Sequence, residues 1–300
     1  SPSPSPPPSP SPSPPPPLPP IVPPASPSAP PCRQPASDDE VYIDVAGVDD
    51  EWTWSNLGGL GGSADDSAGT VVQTDTPPTI RRSSVAVVDG TIVDLVISNL
   101  TEYVPFSSQW NFVTNGYGQI NLGGTRTAGE STQMQLKFSF VQHATDTPYP
   151  LKKFRMGFYD FDTAKNGNGV ECLKVSTAHA TSYQLDADTE LVPPSLDLSE
   201  PNPEVCASTW GKGTDNPEYN APGTGLNATQ RARALEVTYE DTSELEVTFS
   251  IGCCIGSGRN FAYAGASPQI AILDGCPSPP PNFNPRPPPN PPKPPAPPPP

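Results

Sequence analysis

The sequence lacks the features that mark common enzymes and membrane proteins. It has only two histidines, His143 and His179, and no Cys-x-x-Cys pair, so the spacing of a zinc site is absent. No apolar run approaches the roughly 18 residues of a membrane-spanning helix. No Gly-x-Ser-x-Gly, phosphate-binding loop, dinucleotide fingerprint or His-Glu-x-x-His motif occurs, and nothing marks a catalytic pair of carboxylates. We therefore expect neither enzymatic activity nor a membrane span.

Positive charge is also scarce. The chain has 16 lysines and arginines against 32 acidic residues, a formal net charge of −16. Residues 1–31 carry no charge and residues 277–300 carry only Arg286 and Lys293, so the segment between them has a net charge of −18. This acidic field repels phosphate backbones, so no nucleic acid partner is expected, and it attracts cations and basic surfaces. The chain begins at Ser1 without a charged and apolar leader, and we interpret it as a mature or partial chain whose signal peptide has been removed.

Proline is abundant and unevenly placed. Of the 47 prolines, 18 lie in residues 1–31, 16 in residues 277–300 and 13 in the 245 residues between. Proline fixes φ and lacks an amide donor, which leaves polyproline II as the conformation open to such segments. At a rise of ~3.1 Å per residue, the first segment would span on the order of 95 Å. The composition predicts a Ser/Pro-rich arm over 1–31, a globular domain over 32–276 and a Pro-rich arm over 277–300.

The globular segment has the pattern of an all-β domain. In Gln133–Val141 and Glu244–Ile251, apolar and polar residues alternate with the period of a half-buried strand. The other strand candidates, separated by clusters of Gly, Asn, Asp and Ser, are Val41–Val45, Val85–Val88, Thr91–Ser98, Phe154–Phe161, Val170–Val175, Tyr183–Leu185, Leu235–Tyr239 and Gln269–Leu273. This spacing predicts an antiparallel β-sandwich or jelly-roll-like domain. Only Ala228–Ala234 has room for about two helical turns, and we expect long loops at Gly58–Gly69 and Pro193–Pro222.

The terminal segments carry a family resemblance. The Ser-Pro repeats of Ser1–Pro17 and the proline blocks of Pro285–Pro300 stand beside a domain that contains cysteine. In these features the chain resembles the hydroxyproline-rich glycoproteins of green-algal cell walls, extracellular matrix and flagellar surface fibres. The resemblance implies that the prolines are hydroxylated and carry arabinose- or galactose-rich O-glycans. The composition is pherophorin-like, but one domain between two rods is not the pherophorin domain order.

The six cysteines are Cys32, Cys172, Cys206, Cys253, Cys254 and Cys276. An even number beside Pro-rich arms suits disulfides formed in an oxidising compartment. Cys32 and Cys276 stand where the composition changes, and because the termini of a domain often lie close together we predict that they pair. The other four cannot be paired from the sequence. A vicinal Cys253–Cys254 bond is possible, although it would strain the backbone.

Two tripeptides, Asn99-Leu100-Thr101 and Asn227-Ala228-Thr229, fit the acceptor pattern for N-glycosylation. Such tripeptides also occur by chance, but the cysteines and the arms make them credible. We predict that Asn99 and Asn227 are glycosylated, and both should then be exposed.

The stretch Asp160–Glu171 places carboxylates and amides at short intervals, and oxygen ligands of this kind suit calcium. Lys165 stands where an EF-hand loop needs glycine, so the prediction is a calcium-binding loop of another kind. Its candidate ligands are Asp160, Asp162, Asn166, Asn168 and Glu171. The alternative is a solvated hairpin turn, for which Asn-Gly is a standard signal. No cofactor is required, and calcium is the one possible ligand ion.

Four tryptophans, Trp52, Trp54, Trp110 and Trp210, suggest sugar binding, because aromatic faces stack on sugar rings. The alternative is packing in the core or at an interface. Trp52 and Trp54 share one face if their segment is extended. They are our candidates for contact with a sugar or with a polyproline II rod, which usually binds in aromatic-lined grooves.

Together these features predict a secreted structural protein of a cell wall, matrix or flagellar surface. We expect a subunit of an extracellular glycoprotein fibre, in which O-glycosylated polyproline arms form or join a shaft and the β domain assembles with other copies of the chain. The alternative is an extracellular adhesion module that binds carbohydrate or calcium and uses the Pro-rich arms as tethers. A hydrolase on proline stalks is a third, less supported interpretation.

Overall fold

A computed structural model of the chain describes residues 40–47, 51–62, 75–114, 116–213, 216–217 and 226–265. All of them belong to the second of the two units into which the chain divides after Cys32. Both predicted arms lie outside the described residues, so the domain boundaries stay predictions. Within the described ranges, no helix is long and apolar enough to cross a membrane.

The described residues form two antiparallel sheets. The strands are β1 (Trp54–Ser55), β2 (Ile80–Val88), β3 (Thr91–Asn99), β4 (Val113–Thr114), β5 (Tyr117–Gly123), β6 (Ser131–Gln142), β7 (Leu151–Tyr159), β8 (Glu171–Val175), β9 (Ala180–Gln184), β10 (Leu191–Val192), β11 (Glu204–Ala207), β12 (Leu235–Thr242), β13 (Glu244–Gly252) and β14 (Gly258–Gly265). The first sheet has eight strands in the order β1-β2-β3-β6-β13-β8-β11-β10, and the second has six in the order β4-β5-β14-β7-β12-β9. The predicted all-β class and antiparallel sandwich are confirmed.

The two most regular sequence patterns form the centre of the larger sheet. β6 and β13 pair in antiparallel register, with Leu136 opposite Val247 and Phe138 opposite Leu245. The predicted inward residues are buried on both strands, and the polar residues between them remain partly exposed. Each buried Leu or Phe contributes roughly 1.5–3 kcal/mol relative to exposure. A one-residue slip of the register would place all of these side chains in water.

Aromatic rings join the two sheets. Phe138 of β6 lies 5.2 Å from Tyr263 of β14, measured between ring centroids. Phe249 of β13 stacks on Phe261 of β14 at a centroid distance of 4.3 Å. All four side chains are buried. Because edge-to-face and offset-stacked pairs add to the stabilisation from burial alone, these contacts help to fix how the sheets pack.

The sequence candidates miss β4, β5 and β14 of the second sheet, and two of these strands contain glycine where a neighbouring group approaches closely. Gly118 lies in β5, and Gly265 ends β14. A Cβ atom on Gly118 would collide with the ring of Tyr263, and one on Gly265 would collide with the backbone carbonyl of Ile43. Glycine at these positions allows close approach of neighbouring groups within the sandwich, a requirement that no local propensity reports.

Two predictions about chain segments are wrong. Val41–Val45 forms a single isolated bridge rather than a strand. The predicted loop Pro193–Pro222 contains β11, which pairs with β8. Helix α1 (Ala228–Ala232) forms inside the predicted Ala228–Ala234 and has five residues, fewer than the two turns for which that segment has room. The predicted strand Gln269–Leu273 lies outside the described residues.

Candidate binding surface

Trp52 and Trp54 pack on one buried cation. The guanidinium carbon of Arg81 lies 5.4 Å from the ring centroid of Trp52 and 5.5 Å from that of Trp54. Trp54 is only 8% exposed, and its indole N–H donates to the Thr79 hydroxyl at 3.1 Å. Little of the Trp54 ring is therefore open to a ligand, and contact of this pair with sugar or polyproline stays a prediction.

The arginine beneath these rings is held by a buried carboxylate. Arg81 Nε and Nη2 donate to Asp94 Oδ2 at 3.0 and 2.8 Å. The other oxygen, Oδ1, accepts from the Ser84 amide at 2.8 Å and lies 2.9 Å from His143 Nδ1. Burial alone would raise the pKa of Asp94, but the hydrogen bonds from Ser84, Arg81 and His143 outweigh burial and lower it. This cluster fixes β2 to β3 and is structural.

Trp210 presents the opposite arrangement, because its ring is exposed and its cations are in solvent. Its side chain is 41% exposed. The ammonium nitrogens of Lys165 and Lys212 lie 5.7 and 5.3 Å from the ring centroid, within cation–π range. We call these three residues the Trp210 surface. In a domain with a net charge of −18, they place two positive charges beside one open aromatic face.

The backbone of Trp210 is held on both sides. Arg233 Nη2 donates to the Trp210 carbonyl at 3.1 Å, and Arg233 Nε donates to Glu190 Oε2 at 2.7 Å. The hydroxyl of Thr209 donates to the same carboxylate oxygen. On the other side, the Thr163 amide donates to the Thr209 carbonyl at 2.8 Å. The indole is therefore presented by a fixed segment of chain.

A charged network lies next to this segment. Gly211 packs so closely on Asp162 that a Cβ atom would overlap the carboxylate. Arg259 Nη1 lies 3.2 Å from Asp162 Oδ1, and its Nε lies 3.5 Å from Glu171 Oε1. Burial raises the pKa of Glu171 well above its usual range, and the charges of Asp162 and Asp160 raise it further, against a smaller lowering by Arg259. One arginine thus faces two buried carboxylates, whereas Arg81 faces one buried carboxylate, Asp94, and one exposed carboxylate, Asp146.

The predicted calcium ligands fall into two groups. Asp162 and Glu171 both face the single guanidinium of Arg259, and the charge of Asp160 acts on Glu171 and raises its pKa. Asn166 and Asn168 lie in an exposed turn, where the Asn168 amide donates to Asn166 Oδ1 at 3.4 Å. This turn is the hairpin-like alternative to a metal loop, and calcium binding stays a prediction.

The described cysteines form two disulfides. Cys172 and Cys206 occupy paired positions on β8 and β11, with Cα atoms 4.0 Å apart. Cys253 and Cys254 form the vicinal bond, and Cys254 has a φ of 77°, a region that costs a non-glycine residue about 1–2 kcal/mol. Among the described residues, Cys172, Glu204 and Cys206 are the only group spaced to hold a metal ion, but both sulfurs are in the disulfide. Disulfides are consistent with an extracellular protein.

The remaining two cysteines, Cys32 and Cys276, lie outside the described residues, so the bond predicted between them stays a prediction.

The two predicted glycosylation sites differ in exposure. Asn227 is exposed and caps α1, where its Oδ1 accepts from the Gln230 amide at 3.0 Å. Asn99 is half-buried at the end of β3, and its Nδ2 donates to the Thr101 carbonyl at 2.8 Å. Asn227 thus has the expected exposure and Asn99 does not, while glycosylation of either site stays a prediction.

A cleft of about 540 Å³ opens elsewhere on the domain. It is lined in part by His179, Asp241, Glu244 and Glu246. Its rim is acidic, like the domain as a whole, and it has no tryptophan. The Trp210 surface differs from it both in the sign of its charge and in its exposed indole.

Comparison with known proteins gives no family. No family model matches the sequence, and no curated protein matches it. The fold is similar to the DNA-bound adhesin domain of PrgB from Enterococcus faecalis, at 12% identity and a TM-score of 0.39, covering 62% of this chain and 66% of that one. It is also similar to the N-terminal domain of the Streptococcus gordonii adhesin Sgo0707, at 11% identity and a TM-score of 0.38, covering 62% of this chain and 47% of that one.

A second structure of the PrgB adhesin domain gives 11% identity and a TM-score of 0.36, with 62% of each chain covered. The matches thus span less than two thirds of these adhesin chains. Similarity at this level supports no conclusion about what this chain binds.

Proposed function

We propose that this protein is an extracellular adhesion module that binds acidic carbohydrate at the Trp210 surface, with the Pro-rich arms as tethers. The observation that carries the proposal is an exposed indole, fixed through its backbone and flanked by two lysine ammonium groups. The disulfides support secretion, and the resemblance of the arms to hydroxyproline-rich glycoproteins supports a place in a wall or matrix.

The ligand class follows from the chemistry of the three side chains. An indole face packs against the apolar C–H face of a sugar ring, and a fixed backbone lowers the ordering cost of that contact. Each lysine can exchange its contact with the ring for an ion pair with a carboxylate or sulfate group. Because the domain as a whole is acidic, the two lysines give an anionic polymer a local positive site on it.

The test is calorimetric titration of the full chain with oligosaccharides that carry uronate or sulfate groups. We expect binding that weakens with added salt and falls by about tenfold or more in Trp210→Ala, since buried tryptophan contacts often dominate interfaces. Lys165→Ala should weaken binding less. Trp110→Ala is the matched control, because Trp110 is 44% exposed on a different loop. An equal loss in both tryptophan variants, or no binding by the wild type, contradicts the proposal.

The second candidate is the fibre subunit, and the concentration of prolines in the two terminal segments favours it. In that case the O-glycosylated arms form or join a shaft with other copies of the chain. Sedimentation of the same preparations separates the candidates. Glycan binding by a monomer supports the adhesion module, whereas self-association without glycan binding supports the fibre subunit.

A further inference from the structure

A second exposed surface, on the loop between β3 and β4, differs in character from the Trp210 surface. Its apolar side chains are Val104, Phe106 and Trp110, which are 50%, 60% and 44% exposed. Leu60 is 46% exposed and lies beside this loop, because the Ser108 hydroxyl donates to the Leu60 carbonyl at 2.8 Å. We call Leu60, Val104, Phe106 and Trp110 the apolar loop surface.

The loop is anchored to β5, so its aromatic side chains are held at the surface. Asn121 Oδ1 accepts from the amides of Phe106 and Ser107 at 3.0 and 2.9 Å. The Gly123 amide donates to the Val104 carbonyl at 2.8 Å. A loop fixed in this way loses little conformational freedom when a ligand binds to it.

The Trp110 ring is supported by the core and remains partly open. Its centroid lies 6.0 Å from that of Phe112, which is only 9% exposed. The Trp110 amide donates to the Ser107 carbonyl at 3.1 Å and closes a short 3-10 turn. Gln109 lies in the same turn and is exposed, and its side-chain amide can both donate to and accept from hydroxyl groups. The turn therefore presents an aromatic ring and a hydrogen-bonding amide together.

The segments that form this surface are uncharged in a highly charged chain. Residues 52–62 and 103–125 contain no Asp, Glu, Lys or Arg, although the whole chain has 32 acidic and 16 basic residues. An anionic ligand finds no cation in these segments, and the acidic domain repels it. An uncharged ligand loses no ion solvation on binding here. The Trp210 surface, with its two lysines, has the opposite preference.

The size of the apolar loop surface favours a small ligand over a protein partner. An aromatic side chain buries roughly 150–250 Å², so the open parts of Phe106 and Trp110 amount to roughly 100 Å² each. All four side chains together offer less than about 400 Å², whereas a standard protein interface buries about 800 Å² on each partner. The available area matches a few sugar rings.

We propose that the apolar loop surface binds an uncharged polysaccharide of β-linked hexoses. The hydroxyl groups of a β-linked glucose ring are equatorial, so both faces of the ring consist of C–H groups. These faces pack on Phe106 and Trp110, and the Gln109 amide forms hydrogen bonds with the hydroxyl groups at the ring edge. The site is separate from the one proposed at Trp210 and takes a different class of glycan.

Calorimetric titration of the full chain with a β-1,4-linked glucose hexasaccharide tests the proposal. We expect an affinity that is unchanged between about 0.05 and 0.5 M salt, because no ion pair forms. Phe106→Ala and Trp110→Ala should each weaken binding about fivefold or more. Trp210→Ala is the matched control and should leave the affinity unchanged. For oligosaccharides with uronate or sulfate groups the two tryptophan variants should exchange roles, so each site is tested apart from the other.

A second variant covers the case in which an aromatic substitution disturbs the fold, which circular dichroism reports. Gln109→Ala changes one exposed side chain and should weaken hexasaccharide binding about twofold or more. No binding by the wild type, or an equal loss of affinity in Trp210→Ala, overturns the proposal. Self-association that is lost in Trp110→Ala, without hexasaccharide binding, would assign the surface to a second copy of the chain and also overturn it.

Discussion

The molecule contains two tryptophan–cation clusters that look alike in the sequence and differ in the structure. At Arg81 the cation is buried, and the rings of Trp52 and Trp54 pack near its guanidinium. At Trp210 the ring is exposed, and the cations are the flexible ends of Lys165 and Lys212. A buried cation–π contact joins parts of the fold, whereas an exposed one leaves part of the ring open to a ligand. The position of the cation, rather than the presence of tryptophan, distinguishes the two roles.

The carboxylates behind the clusters differ in the same way. Arg81 pairs with the buried Asp94 and with the exposed Asp146, and the pKa of Asp94 is lowered. Asp162 and Glu171 share Arg259, and the pKa of Glu171 is raised. The carboxyl pKa is therefore lowered in the first cluster and raised in the second, which lies next to the Trp210 segment.

Removing each arginine gives the largest expected difference. Arg81→Ala leaves Asp94 buried without its cation and should lower the free energy of unfolding by about 3–5 kcal/mol. Arg259→Ala should cost less, about 1–2 kcal/mol, because Glu171 can take up a proton more readily. Urea unfolding at neutral pH measures both. Equal losses of unfolding free energy in the two variants would contradict this difference between the clusters.

Truncating one tryptophan from each cluster gives the next effect. Trp54→Ala empties a buried volume and should cost about 3 kcal/mol in unfolding free energy. Trp210→Ala should cost about 1 kcal/mol or less, because its side chain is partly solvated. The same denaturant titration applies. If Trp210→Ala destabilised the domain as much as Trp54→Ala, its ring would be structural and the proposed binding surface would lose its basis.

The smallest effects concern pH, and the two carboxylates should act in opposite directions. The lowered pKa of Asp94 means that its contribution to stability is present above about pH 3.9 and is lost as the pH falls through the folded-state pKa. The raised pKa of Glu171 means that its contribution is present below about pH 4.3 and is lost as the pH rises through the folded-state pKa.

The unfolding midpoint, plotted against pH, should therefore change slope in one pH region because of Asp94 and in another because of Glu171. Asp94→Asn should flatten the acid side of the profile, and Glu171→Gln should flatten the fall in stability above about pH 4.3. Each variant is compared with the wild type in slope, since both substitutions also shift the absolute stability. A common change of slope in both variants would contradict the assigned directions.

The sequence predicts much of the fold where one side of a strand is polar. β6 and β13 are predicted nearly to their ends, because each has a strict period of two. β5 and β14 are missed. Gly118 of β5 lies against the ring of Tyr263 and Gly265 of β14 lies against the backbone of Ile43, and no pattern along the chain shows these contacts. Strand β11, inside the predicted loop Pro193–Pro222, is also missed. β11 is four residues long, and its pairing with β8 supplies what its own sequence does not.

The candidate site was predictable in type but not in position. The sequence indicates that tryptophans could contact a sugar or a proline rod, and local spacing favours Trp52 and Trp54 because they share a strand face. Both rings pack near Arg81, which lies almost thirty positions away in the sequence, and Trp54 is buried. Lys212 is two positions from Trp210 in the sequence, but nothing in the sequence shows that Lys165 lies beside the Trp210 ring.

The sequence alone determined the β class, the acidic domain and the proline-rich terminal segments, because these depend on composition and on periods of two or three residues. The tertiary structure alone decided which tryptophan is buried, which carboxylates share an arginine and which loop is apolar and exposed. Those properties arise from contacts between distant residues, such as Asp162 and Arg259, almost a hundred positions apart. Burial and pKa values follow from such contacts, and no local pattern records them.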